Sequence, residues 1–206
     1  MEHDFYIVSD EVYEKLTYNG KKHECVASFS EEAYKHTIII NGMSKAFAMT
    51  GWRCGYTAAP ADIAAGISAI QGHTTSNSTT FVQYAAMEAL QHNDDTVKEM
   101  VGEYAKRKDY TYNRLISLKG VTCANVDGAF YLLPDVSYYF DKKFGGKKLG
   151  DSFGFCNYIL EKAHVAIVPG GAFNAPACVR IAYTNSMEKI AEGLDRMEKA
   201  LGELED

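Results

Sequence analysis

Four β-branched residues in a row, Thr37, Ile38, Ile39 and Ile40, closed by Asn41 and Gly42, constrain the fold of this chain more than any other feature. A strand with one wet face alternates apolar and polar residues, so an unbroken run implies cover on both faces, as in the sheet of an α/β protein. Related apolar runs stand at 4–8 (DFYIV), 36–40 (HTIII) and 54–59 (CGYTAA), with turn and helix signals between them. The front of the chain therefore reads as α/β.

The first of these runs has almost no chain before it to supply neighbouring strands. The expectation is a chain that begins in the middle of a domain, with strands 4–8 and 36–40 showing apolar edges when it stands alone. Further on, Ile63, Ile67 and Ile70 after Asp62 predict a short amphipathic helix, and TTFVQYAAMEAL at 79–90 a stronger one. Asn93 or Asp94 is placed to cap a long helix that presents Val97, Val101, Tyr104, Leu115 and Leu118, with Gly120 as its stop.

After Gly120 the texture changes. An aromatic-rich strand pattern fills 121–136, and DKKFGGKKLGD at 141–151 reads as a flexible loop. A helix at 152–163, a strand at 165–168, a turn PGGAF, a strand at 179–183 and a final helix complete the pattern. Met187, Ile190, Leu194, Met197 and Leu201 give the final helix one apolar face. A second, smaller domain is expected to begin within the long helix.

Composition narrows the function. With 206 residues, 47% of them hydrophobic, the chain can bury a core. A net charge of −6 leaves no broad basic field for nucleic acid or an anionic membrane, which favours small-molecule or protein partners. The five cysteines stand far apart with no CxxC pair and no metal-ligand spacing, so reduced thiols in a cytoplasmic protein without a metal site are expected. No apolar run is long enough to span a bilayer, and the first residues lack the pattern of a signal peptide.

The residues able to do chemistry gather in two stretches. In VSDEVYEKL, Asp10 follows an apolar strand and Tyr13 comes three residues later, which suits the ligand-gathering end of an α/β sheet. Equally, Ser9 or Asp10 can simply cap a helix while Tyr13 packs in the core. In NGMSKAFAMTGWRCGY, Lys45 closely follows a strand, where a lysine in a low-dielectric pocket has a lowered pKa and condenses with a carbonyl. Arg53 offers a permanently charged fork suited to phosphate, with Gly51 and Gly55 allowing close backbone approach. Taken together, an acid, a phenol, an aldehyde-trapping amine and a phosphate-binding guanidinium are what pyridoxal 5′-phosphate requires.

These residues carry a resemblance. Gly42, Met43, Ser44, Lys45, Ala48, Met49, Gly51, Arg53 and Gly55 resemble the lysine signature of the fold type I, class I/II pyridoxal-phosphate aminotransferases, in the aspartate and aromatic branch. SDEVYE is similar to that family's aspartate and tyrosine motif, and VRIAYTNS to the segment whose arginine grips the substrate α-carboxylate, here Arg180. The resemblance implies that Asp10 sits at the pyridine nitrogen, Tyr13 beside the ring oxygen, Lys45 on the aldehyde and Arg53 at the phosphate, with Ser44 a further phosphate contact. Cys54 departs from the usual aliphatic residue, Val126 from a proline and Asn174 from a glycine.

The resemblance covers nearly all of this chain but only the second half of the family's fold. It implies part of the large-domain sheet at 1–104 and a small α+β domain at 105–206. The absent front half implies a fragment, a truncated chain or one piece of a split enzyme. Amino acids and 2-oxo acids are the implied substrates. The implied partner is a second copy in a homodimer, with QGHTTSNSTTFVQY near the contact, or the missing front half. The same anchoring residues serve other pyridoxal-phosphate reactions such as β-elimination, and an inert half-enzyme acting as an association module is the alternative of a different class.

Overall fold

The structure, a computed structural model, describes residues 5–92 and 94–206. The chain divides into two compact units at Val101/Gly102, inside a single helix.

In the first unit β1 (Ile7–Asp10) leads through α1 (Glu31–His36) into β2 (Thr37–Gly42), which lies parallel to β1 with Ile7 opposite Thr37 and Asp10 opposite Ile40. The entry to β2 is fixed locally: the Ser30 hydroxyl accepts from the Ala33 amide at 3.0 Å and caps α1. The Thr37 hydroxyl donates back to the Ala33 carbonyl at 2.7 Å. The four-residue helix α2 (Met43–Ala46) follows β2 directly, and β3 (Gly55–Ala58) returns antiparallel to it with Gly55 opposite Gly42. The sheet order is β1-β2-β3.

The ladder corrects the sequence expectation at its front edge. The first strand runs 7–10 rather than 4–8 because β2 offers partners only from Ile7 onward, and Asp4 lies outside the described residues. The described residues do not supply cover on both faces: Val8 is 62% and Ile40 40% exposed, and every residue of β3 is exposed. Of the helices that follow, α3 (Ala61–Thr74) carries the expected Ile63, Ile67 and Ile70 yet has no buried residue, while α4 (Thr80–His92) buries Val82, Ala86 and Ala89. One core cluster here holds Met43, Ala86 and Ala89, packed by Phe47, Met49 and Cys54. That packing role accounts for Cys54 at a position where the resemblance expects an aliphatic side chain.

The long helix, α5 (Asp94–Ser117), stops short of Leu118, which is buried just beyond it. Of its candidate caps, Asn93 and the Asp94 side chain lie outside the described residues. Gly120 turns the chain at φ +72, where any side chain would collide with the Tyr138 ring.

The second unit is built on three short antiparallel strands. They are β4 (Tyr131–Leu132), then, past the hairpin β5 (Lys143–Phe144) and β6 (Lys147–Lys148), β7 (Val168–Pro169) and β8 (Val179–Ala182), in the order β4-β8-β7. The helix α6 (Ser152–Ala163) precedes β7 and α7 (Met187–Leu201) follows β8. Leu132, Phe155, Ile159, Val179 and Tyr183 form a wholly inaccessible core.

Three expectations change in this unit. Only Tyr131 and Leu132 of the 121–136 stretch form a strand, and the 165–168 strand shrinks to Val168–Pro169, because β8 pairs only with those residues. The 141–151 loop contains the β5-β6 hairpin, turned by Gly145 and Gly146 at positive φ, and ends at Asp151, whose carboxylate caps α6 by accepting from the Phe153 and Gly154 amides. Met187 stays 37% exposed in the first turn of α7, while Ile190, Leu194, Met197 and Leu201 are buried as the periodicity requires. Among the described residues no helix is long and apolar enough to cross a membrane.

Candidate active site

β1 ends at Asp10 and the parallel β2 ends at Gly42, so the segments bearing Tyr13 and Lys45 leave the same end of the sheet. Arg53 precedes Gly55, which begins β3 beside Gly42, and so arrives at that end as well. The two facing glycines permit this convergence: a Cβ on Gly42 would stand 3.0 Å from the Cys54 carbonyl oxygen, and one on Gly55 3.1 Å from that of Asn41. Gly51, expected to serve the same purpose, has open space around it.

Lys45 lies on α2 with its Nζ 6.0 Å from the centre of the Tyr13 ring. Asp10 belongs to the strand, its carboxylate exposed and accepting from the Val12 amide at 3.2 Å. This is an Asx-type turn: Asp10 shapes the turn, but no helix follows for it to cap. Ser44 is half-buried in α2 beside Lys45.

Arg53 adopts a left-handed backbone (φ 54), and its Nη1 donates to the Thr50 carbonyl at 2.8 Å. No acidic side chain pairs with it among the described residues. Arg53 borders a cleft of about 760 Å³ lined also by Gln71, Thr75, Asn77, Ser78 and Thr79. An unpaired cation beside several neutral donors is a donor set that suits a phosphate. These polar residues were expected near a subunit contact rather than beside Arg53; the run of hydroxyls in TTSNSTT is the signal that could have found them.

In the second unit Arg180 sits on β8 with its guanidinium carbon 4.7 Å from the Tyr131 ring centre and 4.3 Å from that of Phe173. It too has no acidic partner among the described residues. Aromatic rings against a guanidinium hold it by cation–π attraction and leave its in-plane N–H fork for a planar carboxylate. Asn174, which follows Phe173, takes φ 58. Asparagine tolerates that left-handed conformation best after glycine, which resolves its departure from the glycine usual there.

Glu11 is the site residue that sequence reasoning passed over. It is 4% exposed and stands between Asp10 and Tyr13. The Ser9 hydroxyl donates to its carboxylate at 3.1 Å, and His23 Nε2 lies 3.0 Å from it. Burial pushes its pKa up, but hydrogen bonds from His23, Cys25 and Ser9 outweigh burial and hold it below the ordinary carboxylate value. Burial and the Glu11 hydrogen bond both raise the Cys25 thiol.

The fold and these residues define a class. Residues 1–197 match the family described as aminotransferase class I and II, and the chain belongs to it. It is 43% identical to an aspartate aminotransferase of Bacillus sp. (strain YM-2) over 97% of this chain and 50% of that protein. It is 41% identical to a probable aspartate/prephenate aminotransferase of Aquifex aeolicus over 99% of this chain and 51% of that one. The crystal structure of the aspartate aminotransferase from Rhizobium meliloti superimposes with a TM-score of 0.94 at 33% identity, covering 97% of this chain and 50% of that one. This chain thus spans about half the length of the relatives it matches.

Proposed function

We propose that this chain supplies the lysine-bearing half of a pyridoxal-phosphate aminotransferase that moves an amino group from an amino acid to a 2-oxo acid, with Lys45 as the anchoring and proton-moving residue. The observation that carries the proposal is the meeting of Lys45 and Tyr13 at the sheet end where Asp10 closes β1 and Arg53 approaches β3. Aspartate is the favoured amino donor, since several relatives are named for it.

When bound, pyridoxal phosphate supplies an electron sink for the pair left behind as the substrate Cα loses its proton. Asp10, exposed at the strand end, provides the negative charge that keeps a proton on a ring nitrogen. Tyr13, whose ring centre lies 6.0 Å from the Lys45 amine, would stand beside the cofactor's ring oxygen. Lys45 would hold the group through its aldehyde, and its amine would serve as the base and acid for the substrate Cα proton. Arg53 neutralises the phosphate, with the hydroxyls of the adjoining cleft, and Ser44 is a further contact. Arg180 grips the substrate carboxylate through its free fork. A homodimer in the cytoplasm accords with this reading.

The test is chemical. Incubation with pyridoxal phosphate followed by borohydride reduction is expected to leave a mass adduct on Lys45, and Lys45→Ala to abolish it entirely. Decay of the visible colour on adding an amino acid, with a 2-oxo acid formed, supports transamination, whereas release of ammonia points to elimination. The exposed faces of β1 and β3 favour a second reading, an association module without activity of its own. Absence of any adduct on Lys45 would decide for that reading.

A further inference from the structure

Glu11 is the one buried acid among the described residues, and the chemistry assigned to its neighbours makes no use of it. Its amide donates to the Ile40 carbonyl at 2.8 Å, which extends the β1-β2 ladder one residue past Asp10. Its carbonyl accepts from the Glu14 amide at 2.9 Å, and that of Tyr13 from the Leu16 amide at 2.8 Å, so the chain turns immediately after the strand. Its carboxylate is held by Ser9 at one oxygen and by His23 at the other. A single side chain therefore joins the end of β1 to a segment more than ten residues further along. The stretch between has no regular helix, and its anchors in the core are Leu16 and Tyr18.

We propose that Glu11 is a positioning residue, whose carboxylate, clasped by Ser9 and His23, fixes the turn that presents Asp10 and Tyr13 to the cofactor. The proposal rests on the cofactor reading given above. Adjacent residues at a strand end point to opposite sides, so the buried Glu11 grips the protein while the exposed Asp10 is offered outward. Removing the clasp frees the backbone at 10–16 without touching Lys45 or Arg53.

The experiment uses the whole protein with Glu11→Gln, His23→Gln and the pair combined. His23 is 31% exposed, so its replacement perturbs folding least and keeps the test open if the Glu11 variant folds poorly. Hydrogen exchange in the cofactor-free protein is expected to be about tenfold faster at the amides of Val12, Glu14 and Leu16 in either single variant. The dissociation constant of pyridoxal phosphate is expected to rise about tenfold in each, and the double variant to be no worse than the stronger single one, as coupled residues behave. Variants that unfold more readily, yet keep both the exchange of those amides and the dissociation constant within about twofold of the parent, would show Glu11 to be a structural ion pair only and overturn the proposal. A parent protein that binds no pyridoxal phosphate defeats the cofactor reading instead, and the exchange rates still decide whether Glu11 holds the turn.

Discussion

In the second unit Leu132, Phe155, Ile159, Val179 and Tyr183 are wholly shielded from solvent, whereas in the first α3 buries no residue and β3 is exposed along its length. Yet the first unit carries Asp10, Tyr13, Lys45 and Arg53, and the second carries Arg180. Stability and chemistry are thus unequally shared. One unit closes a core around two helices and a small sheet. The other holds reactive groups at the end of an open sheet, with Val8, Ile40, Ile70 and Tyr84 among the apolar side chains left in water. Exposed apolar surface of this kind is what a covering segment or a second copy binds.

The strongest way to break that contrast is to open the closed core. Phe155 is 0% exposed and its ring lies 5.9 Å from that of Tyr139. Phe155→Ala is expected to cost about 3–5 kcal/mol through lost burial and the cavity left behind. Hydrogen exchange at amides of the second unit measures it, since one melting curve would mix two units that need not unfold together. A loss below about 1 kcal/mol would mean that this core is no better closed than that of its neighbour.

Acid sharpens the contrast from the other side. Glu11 has its folded-state pKa held below the ordinary 4.5, so its ionised form is favoured by folding. Its contribution to stability is then complete above that value and drains away as pH falls through the lower, folded-state pKa. Among its neighbours are His23, Cys25 and Ser9 and, through its charge, Tyr56 on β3, whose phenol is pushed up by burial and by Glu14 and Glu11. The first unit is expected to loosen before the second on acidification, by less than the Phe155 truncation costs, and Glu11→Gln to flatten that slope. Exchange rates measured unit by unit between neutral pH and pH about 4 check the order.

How much of this was legible in the sequence follows from the range of each interaction. Lys45, Arg53 and their glycines stand within one short stretch, and the strand 37–42 announces itself through consecutive β-branched residues, so local pattern sufficed. The β7 strand was misjudged because Val165 to Ile167 have strand-like side chains but no partner on β8; pairing is a long-range property that composition does not carry. Glu11 escaped notice for a similar reason. Nothing in SDEVYE shows that the glutamate turns inward to meet His23, because burial is decided by where the chain returns. The Tyr131 ring on Arg180 likewise depends on the β4-β8 pairing, which joins residues far apart in the chain.

The smallest expected effect is the most telling about the open unit. Ile70 is 68% exposed on α3 and contributes to no core, so Ile70→Lys should change stability by less than about 0.5 kcal/mol, as surface substitutions do. Lysine also suits a helix position better than a β-branched residue, which offsets part of any loss. Urea unfolding at two protein concentrations is the measurement. A cost above about 1 kcal/mol that grows with concentration would mean that α3 is covered in solution by another copy, and that the openness of the first unit belongs to the isolated chain rather than to its working assembly.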